Sequence, residues 1–182
     1  DEQADKVLTA ALDLNLKHID TSNIYGMGKS EERIGEFLSK QGKQANSLFN
    51  IATKASIFSD PETGKRGFNN EGAHLEEELD KSLKRMGVDC VDLFYVHRRD
   101  HNIEIEEVTE SLSNLVKKGK TKSIGYSEIA PSSLKRASAI HHIAAVQSEY
   151  SLSTRAPEMG LVQACEELGT ALVAFSPVGR TF

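Results

Sequence analysis

Two hydrophobic periods take turns along this chain, and few folds accommodate that exchange. Residues 4–17 place Val7, Leu8, Ala11 and Leu14 at helical spacing, Lys17 to Asp20 is extended, and a second helix is expected from Glu31 to Lys40. Phe49–Thr53 is the next strand, and after a loop holding Pro61, Gly64 and Gly67, Asn70 is expected to cap a helix with Leu75, Leu79, Leu83 and Met86 on one face. Val91–Val96 is a continuous apolar run, as in a strand covered on both faces. Glutamates 104, 106 and 107 open the following helix and Lys117, Lys118 and Gly119 close it, matching the helix dipole and the C-terminal glycine preference. Ser123–Ser127 and Ala144–Glu149 are strands on either side of a helix from Pro131 to Ile140. Pro157 opens a last helix with Val162, Cys165 and Leu168, Gly169 ends it, and Ala171–Phe175 is the final strand.

Strict alternation of strand and helix implies a parallel sheet with right-handed crossovers, either a closed barrel or an open doubly wound sheet. The strand ends favour the barrel. Asp20, Lys54, His97, Ser127, Glu149 and Ser176 all close strands, and only a barrel gathers every carboxyl end at one mouth. At 182 residues the chain has room for one core, so residues 1–182 are read as a single β/α barrel domain.

The mouth carries chemistry. In His18–Glu32 a short strand breaks into a loop punctuated by Gly26 and Gly28, with Asp20 at the strand end, Tyr25 in the loop, and Ser30 with Glu31 and Glu32 reading as a capped helix start. Gly28-Lys29-Ser30 has the tail of a phosphate-binding P-loop but lacks its head, since Asn23 stands where glycine is needed. A plain turn with an N-cap is the other reading. Lys54 closes an apolar strand, where an ammonium needs a partner, and Asp20 on the neighbouring strand can supply a buried one. Such a pair is either a structural tie or a device that favours the phenolate of Tyr25 and so tunes it as a general acid. His97 is either a satisfied core residue or a group that orients a substrate oxygen. Together the four suit protonation of an oxygen while something else attacks its carbon. None is a nucleophile, no Ser-His-Asp order is present, and the histidines lack metal-site spacing, so a hydride from a bound cofactor would complete the reaction.

The stretch His18-Ile-Asp-Thr-Ser-Asn-Ile-Tyr-Gly-Met-Gly-Lys-Ser-Glu31 resembles the signature of the aldo-keto reductases. Ala52–Lys54, Leu93–His97, Ile124–Glu128, Val146–Ser151 and Ala174–Arg180 resemble that family's later motifs, in order and across the whole chain. The resemblance implies a (β/α)8 barrel, represented by its strands two to seven, that reduces aldehydes or ketones with NADPH and no metal. It implies Tyr25 as general acid, Asp20 and Lys54 as the groups that tune it, and His97 as the orienting group. Cofactor contacts would come from Asp20, Ser127, Glu128 and Gln147 around the nicotinamide carboxamide, and from Phe175, Ser176, Pro177, Val178, Gly179 and Arg180 flanking the nicotinamide and pyrophosphate. Glu128 stands where many relatives carry asparagine, and Phe175 where many carry tyrosine. Basic residues that grip the 2′-phosphate are expected beyond Phe182. A non-catalytic, cofactor-sensing relative of the channel β-subunit type and an inactive barrel fragment are the alternatives.

Composition narrows the partners. A formal charge of −5 disfavours nucleic acid and anionic membrane, and no apolar run approaches the roughly 20 residues of a membrane span; the partner that the resemblance implies is a small aldehyde or ketone, and the expected compartment is the cytoplasm. Cys90 and Cys165 read as small hydrophobes rather than a disulfide or metal pair.

Overall fold

The computed structural model describes residues 2–42, 45–59 and 63–179. The elements run α1 (Glu2–Asp13), β1 (His18–Asp20), α2 (Lys29–Ser39), α3 (Ala45–Leu48), β2 (Asn50–Ala55), β3 (Ile57–Ser59), β4 (Arg66–Phe68), α4 (Gly72–Met86) and β5 (Leu93–Val96). They continue with α5 (Ile105–Lys117), β6 (Ile124–Ser127), α6 (Pro131–Ile140), β7 (Ala145–Glu149), a 3-10 turn (Ala156–Met159), α7 (Leu161–Leu168) and β8 (Ala171–Phe175).

Six strands form one parallel sheet in the order β1-β2-β5-β6-β7-β8. Every crossover therefore steps to the adjacent strand in the same direction. A doubly wound sheet reverses direction at a switch point, and this sheet has none, which decides between the two architectures. With one hand and one direction of progress the helices all fall on one face, and α4, α5, α6 and α7 accordingly pack in sequence, each on the next. The sheet is the curled wall of a β/α barrel.

The period of two along each strand sorts side chains between helix layer and barrel interior. In β5, Phe94 and Val96 join the large core under the helices, whereas Leu93 and Tyr95 join an inner cluster with Ala52 and Ala145. Thr53 of β2 faces outward and donates to Glu31 of α2 at 2.5 Å, and Tyr126 of β6 faces outward to the Thr109 hydroxyl of α5 at 2.7 Å. Their neighbours Ala52, Lys54, Gly125 and Ser127 therefore face inward. Gly125 is small for a reason: a Cβ there would lie 2.6 Å from the Tyr95 ring and 2.6 Å from the Ala145 carbonyl oxygen.

Several sequence expectations need correction. Gly28, in the left-handed region at φ 92°, is the N-cap of α2, and Ser30 lies inside the helix with its hydroxyl 2.8 Å from that of Thr21. A Cβ at Gly28 would press on Arg85 at 3.1 Å, so loop and α4 are fitted to one another. Glu31 is no solvated dipole match. It is fully buried, held by Thr53 and by the Arg85 guanidinium at 2.6 Å. Asn70 does not cap α4, whose N-cap residue is Glu71; its amide instead donates to the Arg98 carbonyl at 3.0 Å and accepts from the Asp100 N–H at 2.8 Å. The segment expected as a loop after β2 carries the antiparallel pair β3–β4. Pro157 starts a 3-10 turn, and α7 begins only at Leu161. Cys90 and Cys165 are both free thiols, the second buried and the first half-buried.

Gly125→Ala is expected to destabilise the intact protein by about 1–3 kcal/mol, because backbone as well as a ring blocks the new methyl. A urea midpoint that does not move at constant slope would show that the inner layer has slack.

Candidate active site

The inward parity of each strand and the shared direction of all six bring their last inward residues to one mouth. A cavity of about 340 Å³ there is lined by His18 and Asp20 of β1, Tyr25, His97 and Arg98 after β5, Ser127 of β6, Gln147 of β7, and Val173, Ala174 and Phe175 of β8.

Lys54 stands behind this cavity and is only 1% exposed. Its ammonium donates to Asp20 Oδ1 and, at 2.7 Å, to the Thr21 carbonyl oxygen. Gln147 Nε2 donates to the other oxygen of Asp20, tying β1 to β7 across the interior. The burial of this pair is unequal. Asp20 keeps 32% of its side-chain surface, so the expectation of a buried carboxylate is corrected: the buried partner is the lysine.

Tyr25 is 41% exposed at the mouth, with Lys54 Nζ 5.0 Å from its ring centroid and the His97 ring edge-on at 5.8 Å. His97 is buried and its Nδ1 lies 3.1 Å from the Ser22 hydroxyl. Burial first, then the charges of Lys54 and Arg98, push its pKa down to about 3, so the ring is neutral at physiological pH. Ser22 also reaches the Lys54 carbonyl oxygen at 3.2 Å, which fixes the loop against β2.

The remaining predicted residues divide. Ser127 Oγ accepts from Arg98 Nη1 at 2.9 Å, and Phe175 lies under the same guanidinium at 5.9 Å. Glu128, at φ 55°, accepts from the Ser148 hydroxyl at 3.2 Å and the Glu149 N–H at 2.7 Å, so one carboxylate oxygen is turned toward the end of β7. Glu149 and Ser176 close their strands as expected but are not walls of the cavity. Ser176, Pro177, Val178 and Gly179 form a turn beyond β8, closed by Gly179 N–H to Ser176 carbonyl at 2.9 Å, and Arg180 lies outside the described residues.

Two interior residues had escaped sequence reasoning. Arg98 lines the mouth, bonding both Ser127 and the His97 carbonyl oxygen, the latter at 2.7 Å. Tyr95 is fully buried on the inner face with no partner for its hydroxyl, 6.0 Å from Lys54 Nζ to ring centroid, and burial together with the Asp20 charge pushes its pKa up. Inward parity with Lys54 and His97 was the signal that pointed to Tyr95; nothing in the pattern distinguished Arg98 from a rim charge. Among the described residues no cluster of three or more potential ligands could hold a metal, and no helix is long and apolar enough to cross a membrane.

The sequence profile of the aldo/keto reductase family matches residues 1–182. The chain is 40% identical over 185 residues to the aldo-keto reductase yakc of Schizosaccharomyces pombe, a protein named for NADP(+), covering 100% of this chain and 54% of that protein. It is 41% identical over 183 residues to the aldo-keto reductase str7 of Strobilurus tenacellus, covering 99% and 52%. The glycerol dehydrogenase AKR11B4 of Gluconobacter oxydans superposes with a TM-score of 0.87 at 26% identity, covering 97% of this chain and 54% of that one. The chain thus spans about half the length of the curated relatives it matches.

Unequal burial makes the ion pair asymmetric. Asp20→Ala strands a buried ammonium on one carbonyl and is expected to cost about 3 kcal/mol, whereas Lys54→Met leaves a carboxylate with Gln147 and solvent, at about 1 kcal/mol. The double variant should sit near Lys54→Met rather than at the sum; equal single costs in urea melts would refute the asymmetry. His97 adds a pH dependence. Its folded pKa is depressed to about 3 from an ordinary 6.5, so the unfolded chain binds the extra proton between those values. Its contribution is full above pH 6.5 and drains away as pH falls toward 3, by up to a few kcal/mol. His97→Gln should remove that part of the acid sensitivity, and superimposable stability–pH curves would count against a neutral buried ring.

Proposed function

The chain belongs to the aldo/keto reductase family, and from that premise we propose that it supplies the catalytic mouth of an NADPH-dependent carbonyl reductase. The observation that carries this reading is the placing of an exposed phenol, a buried ammonium paired with a carboxylate, and a neutral imidazole around one cavity.

In this reading Tyr25 gives its proton to the carbonyl oxygen as the carbonyl carbon accepts a hydride. Negative charge left on the phenolic oxygen is offset by Lys54, which is itself held in place by Asp20 and the Thr21 carbonyl. His97 orients the same carbonyl oxygen. When the Ser22 hydroxyl turns its hydrogen from the Lys54 carbonyl to Nδ1, the neutral ring carries its own hydrogen on Nε2 and offers it to the substrate. A charged imidazolium would compete with Tyr25 as proton source, and burial beside two cations prevents it.

The cofactor fits the spare valences of the walls. Ser127, already accepting from Arg98, has its hydroxyl hydrogen left to give, and Gln147, already donating to Asp20, has its carbonyl oxygen left to accept with. That donor–acceptor pair is the complement of a carboxamide, and Phe175 offers a flat face for a pyridine ring. Asp20, Ser127, Gln147 and Phe175 would therefore hold the nicotinamide end, with Glu128 and the turn from Ser176 through Gly179 alongside. NADPH supplies the hydride that no side chain here can provide. The substrate is an aldehyde or ketone.

Steady-state oxidation of NADPH by an aromatic aldehyde tests the reading, and catalytic rather than stoichiometric yield is the expected result. Tyr25→Phe should lower kcat by at least about 100-fold, as expected for loss of a positioned general acid, with NADPH affinity nearly unchanged. An active Tyr25→Phe enzyme would remove the phenol from the mechanism.

A further inference from the structure

Resting on the reductase reading, we propose that this site selects carbonyl substrates that carry a carboxylate, bound by the guanidiniums of Arg98 and Arg99 in a second cavity beside the reacting mouth.

Four of the seven arginines among the described residues form ion pairs. Arg33 pairs with Glu36, Arg85 with Glu31, Arg136 with Glu104 and Glu106, and Arg155 with Glu158. Arg98 and Arg99, directly after His97, have no carboxylate within ion-pair distance among the described residues, although both are only half-exposed. Arg98 spends one nitrogen on Ser127 and the His97 carbonyl. Arg99 gives Nη2 to the Ile103 carbonyl at 2.8 Å, and its Nη1 is buried without any partner. A half-buried guanidinium with an orphaned N–H is costly unless something accepts from it.

Both arginines border an open cavity. A cavity of about 430 Å³ is lined by Arg98, Arg99, Phe68 and Glu128 together with residues 100–102. Arg98 is also a wall of the reacting mouth, so the two cavities share that side chain. The carboxylates nearby are already engaged: Asp100 accepts from the backbone and side-chain amides of Asn102, both at 2.9 Å, and Glu128 accepts from Ser148 and the Glu149 N–H. Phe68, on the β3–β4 hairpin and 46% exposed, adds an apolar wall for the carbon skeleton between the two polar ends. A planar carboxylate matches the fork geometry of a guanidinium, which a lone ammonium would not impose.

The test compares 4-carboxybenzaldehyde with methyl 4-formylbenzoate at saturating NADPH in the intact protein. The ester activates the aldehyde more strongly than the carboxylate does, so intrinsic reactivity runs against the proposal. The acid is nevertheless expected to show at least about tenfold higher kcat/KM, expressed in KM and shrinking with added salt. Arg99→Gln should cut the acid-to-ester ratio about tenfold, with Arg99→Lys recovering part of it. Equal kcat/KM for the two aldehydes, or a ratio indifferent to Arg99→Gln, overturns the proposal while leaving the reductase reading intact. A loss seen in NADPH affinity instead of KM for the acid also overturns it, since the guanidiniums then serve the cofactor. Calorimetric titration with 4-methylbenzoate separates the two readings where neither aldehyde turns over. Binding that Arg99→Gln weakens sustains the anion site and sinks the reductase, and no binding sinks the anion site as well.

Discussion

Lys54 is a buried ammonium, and much of the interior is arranged so that it can stay charged. An unpaired cation at 1% exposure would cost several kcal/mol. Two strands and a loop answer that cost: β1 brings the Asp20 carboxylate, the loop after β1 brings the Thr21 carbonyl, and Gln147 of β7 anchors the second oxygen of Asp20 from across the interior. The neutrality of His97 follows first from burial, and the charges of Lys54 and Arg98 add to it. One buried cation therefore ties β1 to β7 and adds to the neutrality of His97.

The loop that carries Tyr25 is held from the opposite face of the sheet. Glu31, in the first turn of α2, sits fully buried between Thr53 of β2 and Arg85 of α4, while Gly28 lets the loop pass against the Arg85 side chain. Ser22 ties the same loop inward to His97 and the Lys54 carbonyl. Lys54 and Thr53 are adjacent residues of one strand pointing to opposite faces, so a single dipeptide fixes the phenol's loop from both sides. A register slip of β2 by one residue would exchange them and abolish both ties at once.

This also explains what could be read from the sequence. The order of elements and the convergence of Asp20, Lys54 and His97 follow from two periodicities that are local and strong, so both were legible. What failed was chemistry decided by tertiary contact. Glu31 has the look of a dipole-matching surface residue, and only Arg85, 54 positions away, makes it a buried one. Asn70 has the look of a cap, but the chain turning back after β5 offers its amide better partners in Arg98 and Asp100. The β3–β4 pair was invisible because its strands are three residues each and bracket glycine and proline. Tyr95 was hidden by its apolar strand, where a phenol and a phenylalanine look alike until the face they point to is known.

The placing of charge at the mouth has a consequence for what can enter it. Lys54 is compensated and sealed off, so although it lies beside Tyr25 and His97 it presents little positive field to an approaching molecule. Arg98 and Arg99 differ: neither forms an ion pair with a described carboxylate, both are closer to solvent, and both sit on the rim immediately after His97, with Asp100 and Glu128 on the walls of the same cavity. Charge that is buried and paired sets proton affinities, whereas charge that is unpaired and half-exposed attracts ligands. With one kind on β2 and the other in the segment after β5, the proposed control of proton transfer is separate from the proposed recruitment of substrate. That separation is why the anion preference can be removed at Arg99, which touches none of Tyr25, Lys54 or Asp20 through any hydrogen bond or ion pair among the described residues, without dismantling the acid–base machinery.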